Sequence, residues 1–255
     1  MNLLLLHGNG GAAARFRLLL DQIGRSGVNV RPVIPELPGF EGRDLPLAED
    51  YWAVFVEALQ KTVLQQPEDS WVFYGHGIGG SFLLEWAARN WELGNGKTAK
   101  PQQVILHGCI GASLEYRFFP KLMKPLLFRK FIHWLIYQPW LRKRWERKLF
   151  LFPEEIPLDI RDQFFEDYRR CTAFPILFDL INAHWYRQVQ QRVANQPFHF
   201  VWGQKERVVA AKHLHYWQRD FPNATFDIIP EWDHFPMLDQ PQAFFDYLMN
   251  QIEIK

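Results

Sequence analysis

Short apolar runs alternate with segments of helical period along most of the chain. Residues 3–6 read as a strand ending at the polar turn "HGNGG", and "AARFRLLLDQIGRSG" reads as a helix closed by glycine. Residues 28–34 predict a second strand, followed by the turn-rich "PELPGFEGRD". Residues 51–66 are helical in pattern, 71–74 a strand, and 80–91 a helix apolar enough to be buried. The surface loop "GNGKTAKPQ" leads to a strand at 103–107. There the alternation stops, and residues 112–195 read as helices broken by prolines. It resumes with "PFHFVWG" as strand, 210–221 as helix, "TFDII" as strand and "QPQAFFDYLMNQI" as helix. Strands alternating with helices imply an α/β fold, a mostly parallel sheet of about six strands covered on both faces. The helical block is then an insertion over one end of that sheet. This divides the chain into a core of residues 1–111 and 196–255 and a helical cap, or lid, of residues 112–195.

Composition narrows the picture only slightly. The chain has 255 residues, 48% hydrophobic and 22% charged, which is ordinary for a globular protein with a full core. A net charge of +1 gives no global pull toward nucleic acid or membrane. Two cysteines make no disulfide framework, so a reduced, cytoplasmic setting is the default expectation. "MNLLLLHGNGG" has four leucines before a polar turn and no basic flank, so neither a signal peptide nor a membrane span is expected there.

In open parallel sheets ligands sit beyond the carboxyl ends of the strands. Four notable segments fall at such ends: "HGNGG", "GHGIGG", "HGCIG" and "GQKERVV". A fifth, "PEWDHFPMLD", follows the last strand. Together they resemble the α/β-hydrolase fold from the first strand to the last helix, in particular its small cytosolic esterase- and thioesterase-like members. "LLLHGNGG" resembles the family's HG turn after its third strand, and "LPGFEGRD" its proline–glycine loop. "GHGIGG" is similar to the nucleophile elbow, G-x-nucleophile-x-G, with Gly77 at the nucleophile's place. "VWGQKE" is similar to the acid turn and puts Glu206 where Asp is commoner; "DHFPMLDQPQAF" is similar to the histidine segment and puts His234 at the base position. The order nucleophile, acid, base is the family's. Because the likeness begins at the family's third strand, a reduced, six-stranded sheet is expected.

What the resemblance implies about chemistry turns on Gly77. Glycine tolerates the strained elbow conformation but carries no hydroxyl or thiol, so no acyl-enzyme can form on it. Either the protein is a decayed enzyme used for binding, or it is an enzyme without a covalent step. In the second reading His234 is the base, Glu206 orients it, and the backbone amides of Asn9 and Ile78 form an oxyanion hole. His7, Gly8 and His76 flank the two glycine turns and are expected at the substrate-binding surface, packing or hydrogen-bonding the loops. Cys109 follows the strand ending at His107 and is either a cleft-facing thiol or a small buried residue. Ser81, inside the buried helix, should point away from the site, and Ser113 is weaker still as a nucleophile. The histidines lack zinc-site spacing and "GNGGAA" does not complete a dinucleotide fingerprint, so no metal and no cofactor is expected. Some members of the family carry out lyase or oxygenase chemistry without an external cofactor, so hydrolysis is one of several outcomes.

The cap carries a second signal. Residues 115–150 hold ten Lys or Arg against two Glu, a local charge of +8, leaving −7 on the rest of the chain. Ten aromatics are interleaved with those charges. Residues 126–137 and 140–150 can each form an amphipathic helix. In an ordinary cap their apolar faces turn inward and their basic faces meet water. In the sharper reading a basic rim over an apolar cleft serves a small hydrophobic substrate and an acidic carrier protein or an anionic membrane surface. Nucleic acid is not expected, since the basic block is confined to the cap and no nucleic-acid motif accompanies it.

Overall fold

The leucine run at the start of the chain sets the layering. In the computed structural model, which describes residues 1–67, 70–94, 96–99 and 101–253, that run is β1 (Asn2–Leu6). There follow α1 (Arg17–Ser26), β2 (Arg31–Val33), α2 (Tyr51–Leu64), β3 (Trp71–His76), α3 (Ile78–Ala88) and β4 (Pro101–His107). Among the described residues six helices then come in succession: α4 (Phe118–Leu122), α5 (Leu126–Ile136), α6 (Arg142–Leu149), α7 (Leu158–Arg170), α8 (Phe174–Leu180) and α9 (Ala183–Val193). Alternation returns with β5 (His199–Gly203), α10 (Leu214–Asp220), β6 (Thr225–Ile229), α11 (Pro236–Asp239) and α12 (Pro241–Glu253).

The six strands form one sheet of order β2-β1-β3-β4-β5-β6, and every neighbouring pair is parallel. Side chains alternate across a strand, so a run that is apolar throughout must be covered on both sides. Leu4 and Leu6 of β1 and Phe73 of β3 join Trp52, Phe55 and Phe82 on one face. Leu3 and Leu5, with Val72 and Tyr74, join Phe16, Leu19, Phe244 and Leu248 on the other. The expected α/β-hydrolase fold, with a six-stranded sheet between helical layers, is present. The chain runs from β1 outward to β2 and back past β1 to β3. The order therefore reverses between β1 and β3, which places a ligand crevice at their carboxyl ends.

Departures from the expected elements lie at boundaries. β2 pairs over three residues only, Arg31 to Val33, rather than over 28–34, because it is the sheet edge with one neighbour. β3 continues through Gly75 and His76, and α3 starts at Ile78, so a single residue turns strand into helix. The loop expected at 94–102 includes positions 95 and 100, which lie outside the described residues. The helices after β4 pack back onto the core. Trp185 of α9 stacks on Trp52 at 4.9 Å and donates its Nε1–H to Glu85 of α3 at 2.8 Å. Among the described residues no helix is long and apolar enough to cross a membrane.

Candidate active site

The turn between β3 and α3 is made by Gly77 alone, at φ 56° and ψ −118°. A side chain is strained at that φ whatever the space around it. Space itself is not limiting: a Cβ added at Gly77 meets only the Gly8 Cα, at an ordinary 3.5 Å. The Gly77 amide donates to the His107 carbonyl at 2.9 Å, which fixes the turn to the end of β4. Ile78 is the first residue of α3, and the first amides of a helix have no partner within it. On the other side, "HGNGG" closes on itself through a bond from the Gly11 amide to the Gly8 carbonyl at 3.0 Å, leaving the Asn9 amide outside that bond. Asn9 Oδ1 is buried with no hydrogen-bond partner among the described residues.

The loops after β5 and β6 meet beside this turn. His234 donates its Nδ1–H to Glu206 Oε2 at 2.7 Å, and both residues are buried. Glu206 Oε1 in turn accepts the amides of Val208 and Val209 at 2.6 and 2.9 Å. Burial alone raises the Glu206 carboxyl, but His234 and these two amides outweigh it and hold it below its ordinary value. The ring of His234 lies 4.5 Å from that of His76, the residue before Gly77, and the His76 Nε2–H donates to the His234 carbonyl at 2.8 Å. Burial, with the neighbouring His234 and His107, holds His76 well below the usual histidine value, so it sits there neutral. An acid, an imidazole, a strained glycine turn and helix-start amides thus share one rim of the sheet.

A sequence profile of the Alpha/beta hydrolase family matches residues 3–247. The chain belongs to that family. Comparison with curated protein sequences yields no match. Solved structures with the same fold include an esterase from Exiguobacterium antarcticum, 15% identical, covering 99% of this chain and 92% of its own, with a TM-score of 0.71. A bromoperoxidase from Bacillus anthracis is 13% identical over 99% of this chain and 91% of its own, with a TM-score of 0.73. A membrane phospholipase A, a bacterial virulence factor, is 17% identical over 99% and 78%, with a TM-score of 0.71. At such identities the likeness is one of fold.

Within this alpha/beta hydrolase the other expected residues divide. His7 and Gly8 are in the loop beside Gly77; burial lowers His7 to about 4, and its Nδ1 bonds the Gly8 carbonyl at 3.1 Å. Cys109 is fully buried, its thiol packed against the first turn of α3 and pushed up to about 12 by burial, which makes it a small core residue rather than a surface for substrate. Ser81 donates to the Ile110 carbonyl at 2.8 Å and is fully buried. Among the described residues no three His, Cys, Asp or Glu side chains are grouped to hold a metal ion.

Several supporting residues escape a reading of the sequence. Arg207 and Asp233, the neighbours of Glu206 and His234, form their own ion pair, so the two loops are clamped twice in parallel. Arg117, just before α4, donates to the Val208 carbonyl at 2.7 Å and ties the helical block to the acid turn. Arg15 is buried, its guanidinium 3.4 Å from the centre of the Phe164 ring, and it donates to the Gly10 carbonyl at 3.1 Å. The doublets "ER" and "DH" carry a weak signal for the first pair. Arg15 and Arg117 carry none, because Phe164, on which Arg15 rests, and Val208, which Arg117 holds, are far away in sequence.

Proposed function

We propose that the protein hydrolyses a hydrophobic ester, thioester or related carbonyl compound without a covalent intermediate. Gly77 stands at the family's nucleophile position, and a water takes the place of the missing side chain. His234 Nε2 removes a proton from that water as its oxygen attacks the carbonyl carbon. The amides of Asn9 and Ile78 receive the resulting oxyanion. Collapse of the tetrahedral intermediate breaks the bond to the alkoxide or thiolate, which leaves with the proton from Nε2. Glu206 holds the imidazole in the tautomer that keeps Nε2 free. The reading rests on one observation above all: the buried 2.7 Å hydrogen bond between His234 and Glu206, kept beside a turn with open space where a side chain would stand. Asn9 Oδ1, without a partner among the described residues, is an acceptor available to the water. The named activities of two structural neighbours, an esterase and a phospholipase, lie in the same acyl-ester class.

The absent side chain at Gly77 also favours a second reading, a pseudo-hydrolase whose pocket binds a lipid-like ligand without turning it over. Three proteins separate the two. Purified wild type, His234→Ala and Gly77→Ser are assayed at high enzyme concentration on a short aryl ester and an acyl thioester. The water mechanism predicts wild-type turnover roughly 10³–10⁴-fold above water, as survives in serine hydrolases stripped of their nucleophile, and its loss in His234→Ala. A silent wild type alongside a Gly77→Ser variant that hydrolyses and labels with a fluorophosphonate establishes the binding reading instead.

A further inference from the structure

The outer side of the helices that follow β4 is inverted relative to an ordinary protein surface. α5 has the sequence LLFRKFIHWLI, and its one fully buried residue is the charged one, Arg129. That guanidinium is held by the carbonyls of Met123, Lys124 and Pro175 and by both oxygens of Asp179. Phe128, Ile132 and Ile136 pack partly on the core. The opposite row is left in water: Leu126, Leu127 at 82% exposure, Phe131 and Trp134, with Lys130 among them. Positions 126–127, 130–131 and 134 recur at helical spacing, so these side chains form one stripe, and Phe131 stacks on Trp134 at 5.9 Å. This departs from the ordinary cap, whose apolar side turns inward; here the many acceptors gathered around Arg129 hold its side in. α4 buries none of its residues, and Phe118 is 77% exposed. Of the 14 large hydrophobic residues exposed among those described, ten fall between 116 and 152. A helix apolar on both sides, with one side uncovered, is an interaction surface.

We propose that this surface docks the protein onto an anionic lipid membrane. The charge pattern selects that occupant. Lys121, Lys124 and Lys130 are exposed and have no ion-pair partner among the described residues, and no acid lies between Glu115 and Glu146. Residues 115–150 carry +8 and the rest of the chain −7, so a negative surface attracts this end and repels the remainder, giving one orientation. Protruding Phe, Leu and Trp side chains insert at the level of the headgroups while lysines meet lipid phosphates. A second copy of the chain would bring two strongly positive surfaces together. An acidic carrier protein would pair the lysines but leave side chains as prominent as Leu127 and Phe118 without an apolar partner.

The docked helix is close to the candidate site. The His133 ring of α5 bonds the Tyr168 carbonyl of α7 at 2.5 Å, and the Tyr168 ring packs on Gly10, next to Asn9. A lipid-borne acyl group would therefore be offered on the side of the molecule that carries the loops. Docking itself does not depend on the hydrolytic reading.

The test is co-sedimentation of the full chain with phosphatidylcholine vesicles, with and without phosphatidylglycerol, at low and high salt. The protein should pellet with the anionic vesicles at low salt and be released by high salt. Lys121→Ala, Lys124→Ala and Lys130→Ala together should weaken binding on the order of a hundredfold, from about 1 kcal/mol per lysine near a membrane. Phe131→Asp with Trp134→Asp should weaken it at least about tenfold. All five positions are exposed, and thermal melts of the variants verify folding. The proposal is overturned if wild type ignores anionic vesicles at low salt, or if both sets of variants bind like wild type. It is equally overturned if the chain self-associates or captures acyl carrier protein while leaving vesicles alone. Hydrolysis of a soluble ester by the wild-type protein, with and without the surface substitutions, is read in parallel. Loss of docking with hydrolysis retained, or the reverse, tells a failure of one proposal from a failure of the other.

Discussion

At the scale of single residues, two glycines near the site are required for different reasons. Gly77 has a positive φ and open space, so its constraint is backbone strain alone. Gly10 also has a positive φ, but a Cβ there collides with the Tyr168 ring. Gly77→Ala should therefore cost about 1–3 kcal/mol, the usual strain of a residue held in a sparsely allowed conformation. Gly10→Ala should cost more, because the ring or the loop must also move. Chemical denaturation of the two variants checks the order, and equal costs would mean that Tyr168 yields freely. The comparison bears on function, since a modest cost at Gly77 means that Gly77→Ser can be made and assayed as a folded protein.

At the scale of elements, Arg129 decides how α5 lies. Replacing it with Met leaves the carbonyls of Met123, Lys124 and Pro175 without their donor. A buried carbonyl left unpaired costs about 1–3 kcal/mol, so Arg129→Met should destabilise by at least that much and lower Tm by several degrees. Asp179 is mostly exposed, and an exposed partner in an ion pair contributes little, so Asp179→Asn should change Tm far less. If the two variants melt alike, the ion pair rather than the carbonyl clamp holds the helix. Arg129 also marks where the sequence stops being legible. β6 and the closure of α1 by Gly27 follow from local pattern, because an alternating run between turns and a terminal glycine are local signals. The pairing of Glu206 with His234 follows from motif order, because the loops after successive strands of a parallel sheet come out on the same rim. The facing of α5 does not. "LLFRKFIHWLI" offers apolar side chains in every direction, and only tertiary partners far along the chain, Pro175 and Asp179, choose the side that turns inward. The seat of Arg15 on Phe164 and the tether by Arg117 on Val208 are hidden for the same reason.

At the scale of the whole molecule, the buried histidines make stability depend on pH. Burial holds His7 at about 4 and His107 at about 3, and His76 well below its ordinary value. Unfolded, each takes up a proton near its ordinary pKa of about 6.5. Between that value and the folded ones the unfolded chain binds more protons, so stability must fall as pH falls. Their contribution is complete above about pH 6.5 and is lost as pH falls toward the folded values, about 4 for His7 and about 3 for His107. Asp239 opposes them: burial raises it to about 6, so below that pH the native state gains a proton that the unfolded state still lacks. Glu206 acts in a lower window, because its folded value is depressed; its contribution is present above the ordinary carboxylate range and is lost below it. Burial also lowers His133 and His213 and raises Asp167 and Asp233; the histidines are in the majority, so stability should fall between pH 7 and pH 5. Urea unfolding at pH 7, 6 and 5 measures it. In His107→Gln, where the Tyr74 hydroxyl can still find an amide partner, the slope should drop by about one proton's worth, roughly 1.4 kcal/mol per pH unit. Stability that stays flat from pH 7 to pH 5 would mean that these imidazoles take up protons without unfolding. The neutral His76 beside His234, and with it the environment assigned to the base, would then have to be abandoned.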